Sequence, residues 1–308
     1  MDKIELHCHL DGVIGPELLA ELARRGVTTG IDPAQLTREV PVRSYAHWLD
    51  TYAPLVAPLV RDVAVLVPIL ELHIANLIAQ HTSYAELMVS SLLPGTEAEV
   101  IERFELLRAA ADRASGDALT VELLVAIGRG SLDRAQRQTD RIVALARRRL
   151  IAGIAIAGDE RAATIAELAP AIDRCRDAGL GIEIHAGEFL GVDSVWDALH
   201  HGRPDRIGHG IAAFGDERML DELAKRGTHL ELCPTSNLRL GVITNLAEHP
   251  LGRARDRGLS FSINTDDPGP FGCTLTSEYE LAARTFGFTH DTFALVRDHA
   301  FRARFRRP

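Results

Sequence analysis

The feature that most constrains this chain is an alternation. Short runs rich in β-branched and other apolar residues recur eight times, each separated from the next by a longer stretch of helical periodicity. The runs are IELHCHL (4–10), YAELMVS (84–90), TVELLVAIG (120–128), IAGIAIAG (151–158), GIEIHAG (181–187), RIGHG (206–210), HLELCP (229–234) and LSFSIN (259–264). Many are almost continuously apolar, as parallel strands buried on both faces are. PELLAELARRG opens on Pro16, puts Leu18, Leu19, Leu22 and Ala23 on one stripe and stops at Gly26. DERMLDELAKRG repeats this with Met219, Leu220, Leu223 and Ala224 before Gly227. Ser194 and Asp197 have capping-box spacing, and Pro68 is expected to kink or split the helical run from Val60 to His81. Eight such units in 308 residues, with no linker, predict a single domain over residues 1–308. The predicted architecture is an α/β fold, one (β/α)8 TIM barrel, with a doubly wound open sheet as the alternative.

Polar residues decide between the two, because they collect at the ends of the runs. His7 and His9 close the first, His185 the fifth with Glu188 just beyond, and His209 the sixth; Asp266 and Asp267 follow the eighth. In a parallel barrel all these ends meet on one face, where active sites lie. Strand positions i and i+2 point the same way, so His7 and His9 share a side and Cys8 packs opposite. Buried charge without a partner is costly, and one divalent cation removes the cost for the whole group. Three imidazoles and a carboxylate suit Zn2+, with His7, His9, His185 and Asp266 as ligands and one ion per chain. Zinc lowers the pKa of a bound water toward about 7. His209 is then free to orient or deprotonate that water, Glu188 to protonate a substrate atom, and Asp267 to hydrogen-bond substrate. This reads as a metal-dependent hydrolase with an added carboxyl acid. His81, His200, His201 and His249 lie outside the cluster and are assigned no role.

Composition excludes some partners. The net charge of -9 repels phosphate backbones, which argues against nucleic acid and anionic membrane. The basic end FRARFRRP reads as a solvated helix end or frayed tail. Four cysteines without CxxC pairing argue against a disulfide framework or thiolate zinc site. MDKIELHCHL carries no secretory-signal pattern, and no apolar run reaches the roughly 20 residues that span a bilayer, so a soluble cytoplasmic protein is expected. Tyr45, Trp48, Leu49 and Tyr52 stand at i, i+3, i+4 and i+7 after the first strand, as either a core stripe or a helical lid over the site.

At these residues the chain resembles the adenosine deaminase family within the amidohydrolase superfamily. The matching motifs are ELHCHLDG (5–12), AGDE (157–160), HAGE (185–188), IGHG (207–210), CPTSN (233–237) and NTDDP (264–268), in family order over nearly the whole chain. The resemblance implies zinc-dependent hydrolytic deamination of a 6-aminopurine nucleoside, adenosine or 2′-deoxyadenosine, releasing ammonia. It implies that His7, His9, His185 and Asp266 hold the metal, that Glu188 gives a proton to purine N1, and that His209 serves the attacking water. It places Asp267 at N7, the Gly158 backbone at N3, Asp11 at the ribose 5′-hydroxyl and His9 beside the substrate. It also makes the Tyr45–Tyr52 stretch a substrate-covering helix.

Two departures bear on the substrate: Met88 where the family usually has Arg, and Ala155 where Asp is common. A 5′-modified adenosine or an aminofutalosine-type nucleoside is therefore an alternative, and free adenine a weaker one because Asp11 is retained. Another amidohydrolase reaction on a ring amide, ester or phosphoester is a further alternative, but it has no obvious use for Glu188. A binding protein without turnover is disfavoured by the intact acid, base and ligand set. The zinc cytidine-deaminase type is excluded because P-C-x-x-C is absent.

Overall fold

The computed structural model describes residues 2–90, 92–130 and 132–308. Its strands are β1 (Lys3–His9), β2 (Thr82–Val89), β3 (Thr120–Gly128), β4 (Gly153–Ala157), β5 (Gly181–Ala186), β6 (Arg206–His209), β7 (His229–Leu232) and β8 (Phe261–Ile263). Each pairs parallel with the next, in the order β1 to β8. The ring closes through Asp266: its N–H donates to the His7 carbonyl at 2.9 Å, and the His9 N–H donates back to the Asp266 carbonyl at 2.9 Å. This is the (β/α)8 barrel, and closure rules out the open sheet. All eight strands lie within two or three residues of the runs read from sequence.

β8 is too short to complete a full ladder with β1, and side chains do the remainder. The Leu6 N–H donates to Asn264 Oδ1 at 3.0 Å, and the Thr265 hydroxyl donates to Glu5 at 2.7 Å. The first half of NTDDP thus seals the barrel, and the second half presents its two aspartates at the mouth.

The helices follow the sequence with some differences. Pro16 opens Pro16–Arg24 and Gly227 caps Glu217–Arg226 in the left-handed region at φ 68°. Ala23 and Ala224 are exposed, because each stripe is narrower than the periodicity implied. Pro68 does not split its helix: Val63–Ala79 runs through it, and the break falls at Asp62, whose carboxylate caps the Ala64 N–H. Ser194 is not a cap. Its helix, Val192–Asp197, starts from Gly191, and Asp197 instead accepts the first N–H groups of the helix Ile165–Asp177. The aromatic stripe divides its tasks. Tyr52 is fully buried and donates to the carbonyls of Asp11 and Ile14, Leu49 is 45% exposed, and Tyr45 and Trp48 face the barrel mouth. The backbone there widens to a π-helix over Trp48–Tyr52, a feature frequent at functional sites. Among the described residues no helix is long and apolar enough to cross a membrane.

The C-terminal segment is an exposed helix end at Phe301 and Arg302, but the stretch beyond it is not frayed. Phe305 is 6% exposed and fills the bottom of the barrel, packed with Met88, Leu124, Ala126, Ala152 and Ala155. Arg307 pairs with the buried Glu122 at 3.0 Å. Gly153 and Gly181 make room for the ring: a Cβ on Gly153 would lie 2.6 Å from it, and one on Gly181 would overlap it. Gly181→Ala is therefore expected to cost about 1–3 kcal/mol of stability, as overpacking does. The urea midpoint reads this, and an unchanged midpoint would show that the tail yields freely.

Candidate active site

The strand ends bring together every residue singled out at the mouth. His9 Nε2 lies 3.3 Å from His185 Nε2 and 3.4 Å from Asp266 Oδ1, and His7 Nε2 lies 3.5 Å from that same oxygen. Four atoms from two strands and the loop after β8 thus lie close together. Ring nitrogens of His7, His185 and His209 also fall within 4.8 Å of one another and of an Asp266 oxygen, so His209 borders the same group. The other nitrogens of two rings are occupied: His7 Nδ1 meets Glu231 at 2.7 Å, and His185 Nδ1 meets Glu183 at 2.9 Å. A carboxylate holding Nδ1–H fixes the tautomer and leaves Nε2 as a free electron pair, the usual outer support of a metal-bound histidine. His7 Nε2 is buried with no hydrogen-bond partner. A lone pair so exposed to its neighbours, next to a carboxylate, fits a divalent cation.

Two residues at the mouth hold unusual backbone. Asp266 at φ 62° and His209 at φ 60° are non-glycine residues in the left-handed region, which costs of order 1–3 kcal/mol each. Asp266 is held there by its two hydrogen bonds to β1, so the barrel closure and the aim of its carboxylate are one constraint.

The two adjacent aspartates separate electrostatically. Burial opposes charge on Asp266, but His7 beside it and the imidazoles of His209 and His9 outweigh it and hold the carboxyl far below its ordinary range. Burial, then Asp266 itself, then Asp11 push Asp267 well upward. The two neighbours are thus driven in opposite directions. Gly12 is needed for this, since a Cβ there would overlap the Asp267 carboxyl. Glu188, 6% exposed, is pushed well upward by burial and then by Asp266 and Glu160. Burial lowers His185 to about 3 and His9 to about 4, which keeps both neutral as ligands must be.

Several supporting residues escaped the sequence reading. Glu160 grips the loop after β5: its carboxylate accepts the N–H groups of Gly187, Glu188 and Phe189 at 2.8–2.9 Å and the Ser194 hydroxyl. His249, assigned no role from sequence, anchors a chain of hydrogen bonds. Its Nδ1 accepts from the Leu251 N–H, so its Nε2 donates to Asn237 Oδ1 at 3.2 Å. The Asn237 amide nitrogen then faces His209 Nδ1 at 3.2 Å and Glu188 Oε1 at 3.4 Å. His209 is thereby left with its proton on Nε2, 3.6 Å from Glu188. Ser236 holds the second oxygen of Asp266 at 2.5 Å. Glu183 was legible in principle, because it sits two residues before His185 on the same side of a strand. Glu160 and His249 carry no such local signal.

Above these groups lies a cavity of about 620 Å3, lined by Asp11, Gly158, Glu188 and Asp267 among others. Tyr45 closes one side, its ring 4.5 Å from that of Phe189 and stacked on Trp48. Ser90 donates to Asp11 Oδ2 at 3.2 Å, while Asp11 Oδ1 is buried without a partner.

Comparison with known proteins supplies the family. The adenosine deaminase family profile matches residues 2–307. A protein of Rhizobium johnstonii named adenine deaminase is 38% identical over 295 residues, covering 94% of this chain and 89% of its own length. The solved adenine deaminase of Arthrobacter aurescens is 25% identical with a TM-score of 0.85, over 98% of this chain and 93% of that one. An amidohydrolase of Burkholderia ambifaria solved with bound zinc shares the fold, at 23% identity and a TM-score of 0.82, over 99% of this chain and 86% of that one. The chain belongs to the adenosine deaminase family and is a metal-dependent hydrolytic deaminase.

Proposed function

We propose that this chain replaces the 6-amino group of free adenine with oxygen, using one zinc ion held by His7, His9, His185 and Asp266. The observation that carries the metal centre is that His7 Nε2 and His9 Nε2 both lie against Asp266 Oδ1 and His185 Nε2 lies against His9 Nε2, with Nδ1 of His7 and of His185 already held by glutamates. A bound zinc supplies Lewis acidity that brings the pKa of a water molecule toward about 7.

The chain's own groups do the rest. Glu188, kept as an acid by burial, gives its proton to purine N1 and makes the amino-bearing carbon electrophilic. The Asn237 amide aims that carboxyl. His209 accepts from Asn237 at Nδ1, so its Nε2–H donates toward the incoming water; this favours orientation over proton removal, the two roles open from sequence. Asp267, as an acid, hydrogen-bonds N7, and the Gly158 N–H, on backbone at φ 90°, meets N3. Tyr45 and Trp48 cover the ring and exclude water.

Free adenine is favoured over the nucleoside expected from sequence by the name of the 38%-identical relative, which matches over almost its whole length. A nucleoside or nucleotide is the second reading. It is favoured by Asp11 Oδ1, buried and unpaired at the cavity wall, and by a volume larger than a bare purine fills.

Three outcomes are expected. In an ammonia-release panel of adenine, adenosine, 2′-deoxyadenosine, 5′-modified adenosines and AMP, adenine has the highest kcat/KM; a higher value for a ribosylated substrate reverses the choice. Glu188→Gln retains about one zinc per chain yet loses about 10²–10⁴-fold in turnover, the worth of a positioned acid, and near-normal turnover removes Glu188 from proton transfer. Glu160→Gln places an N–H donor against backbone N–H groups. It should lower kcat about tenfold or more with zinc content unchanged, since small displacements of reacting groups are costly. Unchanged kcat assigns Glu160 to packing alone.

A further inference from the structure

The bottom of the barrel is joined to the metal ligands by one continuous set of buried side chains. The Phe305 ring lies under the Arg206 guanidinium, 3.5 Å from ring centroid to the guanidinium carbon. Arg206 bridges two buried glutamates. Its Nη2 donates to Glu86, and its Nε is ion-paired with Glu231 Oε1 at 2.6 Å. The other Glu231 oxygen takes His7 Nδ1 at 2.7 Å. Arg206, Glu86, Glu231 and His7 are each 0% exposed. The tail is fixed in register with this set. The Phe305 N–H donates to Glu86 at 2.7 Å, the Arg206 Nη1 donates to the Ala303 carbonyl at 3.1 Å, and the Tyr84 hydroxyl lies 2.7 Å from the Phe305 carbonyl.

We infer that the C-terminal segment, through Phe305, is a positioning element of the metal centre: the ring braces Arg206, Arg206 holds Glu231, and Glu231 aims His7 Nε2 at the ion. The inference rests on the metal-centre reading above. The physical argument is one of support. Arg206 has a long flexible stem, and the Phe305 ring is the flat surface packed against its guanidinium. Without the ring it has space to drop toward the barrel floor, away from Glu231. Glu231 would then face Glu183 across His7, whose Nδ1 lies 2.7 Å from one and 4.0 Å from the other, with less cationic charge to hold it in place. The end of a (β/α)8 barrel opposite the active site is ordinarily a matter of stability alone. Here the bottom face carries the outer support of a ligand, and changes in such support typically cost 10–100-fold in metal affinity.

A double-mutant cycle on metal affinity separates positioning from packing. Zinc affinity of the purified full chain is measured by chelator competition for the wild type, Phe305→Ala, Glu231→Gln and the double variant, with the visible spectrum of the Co2+-loaded forms as a second readout. The expected result is a loss of about tenfold or more for Phe305→Ala, with a shifted Co2+ spectrum. In the Glu231→Gln background the same substitution should cost much less, because the path is already cut. Equal losses in both backgrounds, or none in either, would overturn the inference and leave Phe305 as packing. If Phe305→Ala does not fold, Phe305→Leu gives the same cycle, since leucine fills the floor but offers no flat face to the guanidinium. A wild-type chain that binds neither Zn2+ nor Co2+ sinks the metal-centre reading instead.

Discussion

Buried negative charge that has no adequate cation of its own is the constraint on which the rest of this structure depends. Glu86, Glu183, Glu231, Asp266, Asp267 and Glu188 all lie buried around one barrel, with Arg206 a permanent cation set among the glutamates of its interior and Arg129 a second one nearby. The protein meets the deficit in three ways. Asp267 and Glu188 are pushed upward and kept as acids. Arg206 is spent on Glu86 and Glu231, where burial pushes Glu231 up but Arg206 and His7 bring it below its ordinary range. Asp266 stays ionised at the mouth, among imidazoles with inward-facing lone pairs, and a divalent ion there completes the balance. The acids that carry protons and the carboxylate that carries charge are assigned by the same electrostatics, the pattern by which one site keeps groups of one type in opposite states.

Much of this was legible in the sequence, for a definite reason. A parallel strand buried on both faces must be apolar, so a polar residue at its end stands out, and the barrel carries every such end to one face. His7, His9, His185, His209, Asp266 and Asp267 were each visible by that contrast. The strands were visible too, because their apolar runs are bounded by glycine and by charge. The helix stripes were read less well, since Ala23 and Ala224 are small enough to lie on either side of a helix boundary.

What was not legible acts over long sequence distance or through the backbone. Glu160 serves N–H groups of residues 187–189, and nothing local in AGDE announces which amides it will accept. His249 acts on His209 only through Asn237, and its position between a loop and a short helix carries no periodicity. Phe305 lies in a segment so rich in arginine that composition argued for solvent. Its burial follows from two glycines far upstream, Gly153 and Gly181, which leave the floor of the barrel open.

The two departures from the family pattern both lie in the barrel interior. Met88 and Ala155 lie in one apolar cluster with Leu124, Ala126, Ala152 and Phe305. An arginine at one and an aspartate at the other would be complementary charges inside the barrel. Losing either alone would strand the other as an unpaired buried charge, a change costing several kcal/mol. Losing both removes the pair cleanly and leaves a space that apolar groups can fill. Both positions are thus filled by apolar packing in the cluster that Phe305 completes, a cluster that reaches the cavity through Ala126. The same cavity is bounded by Asp11, which keeps one buried oxygen unpaired, and by Tyr45 and Trp48.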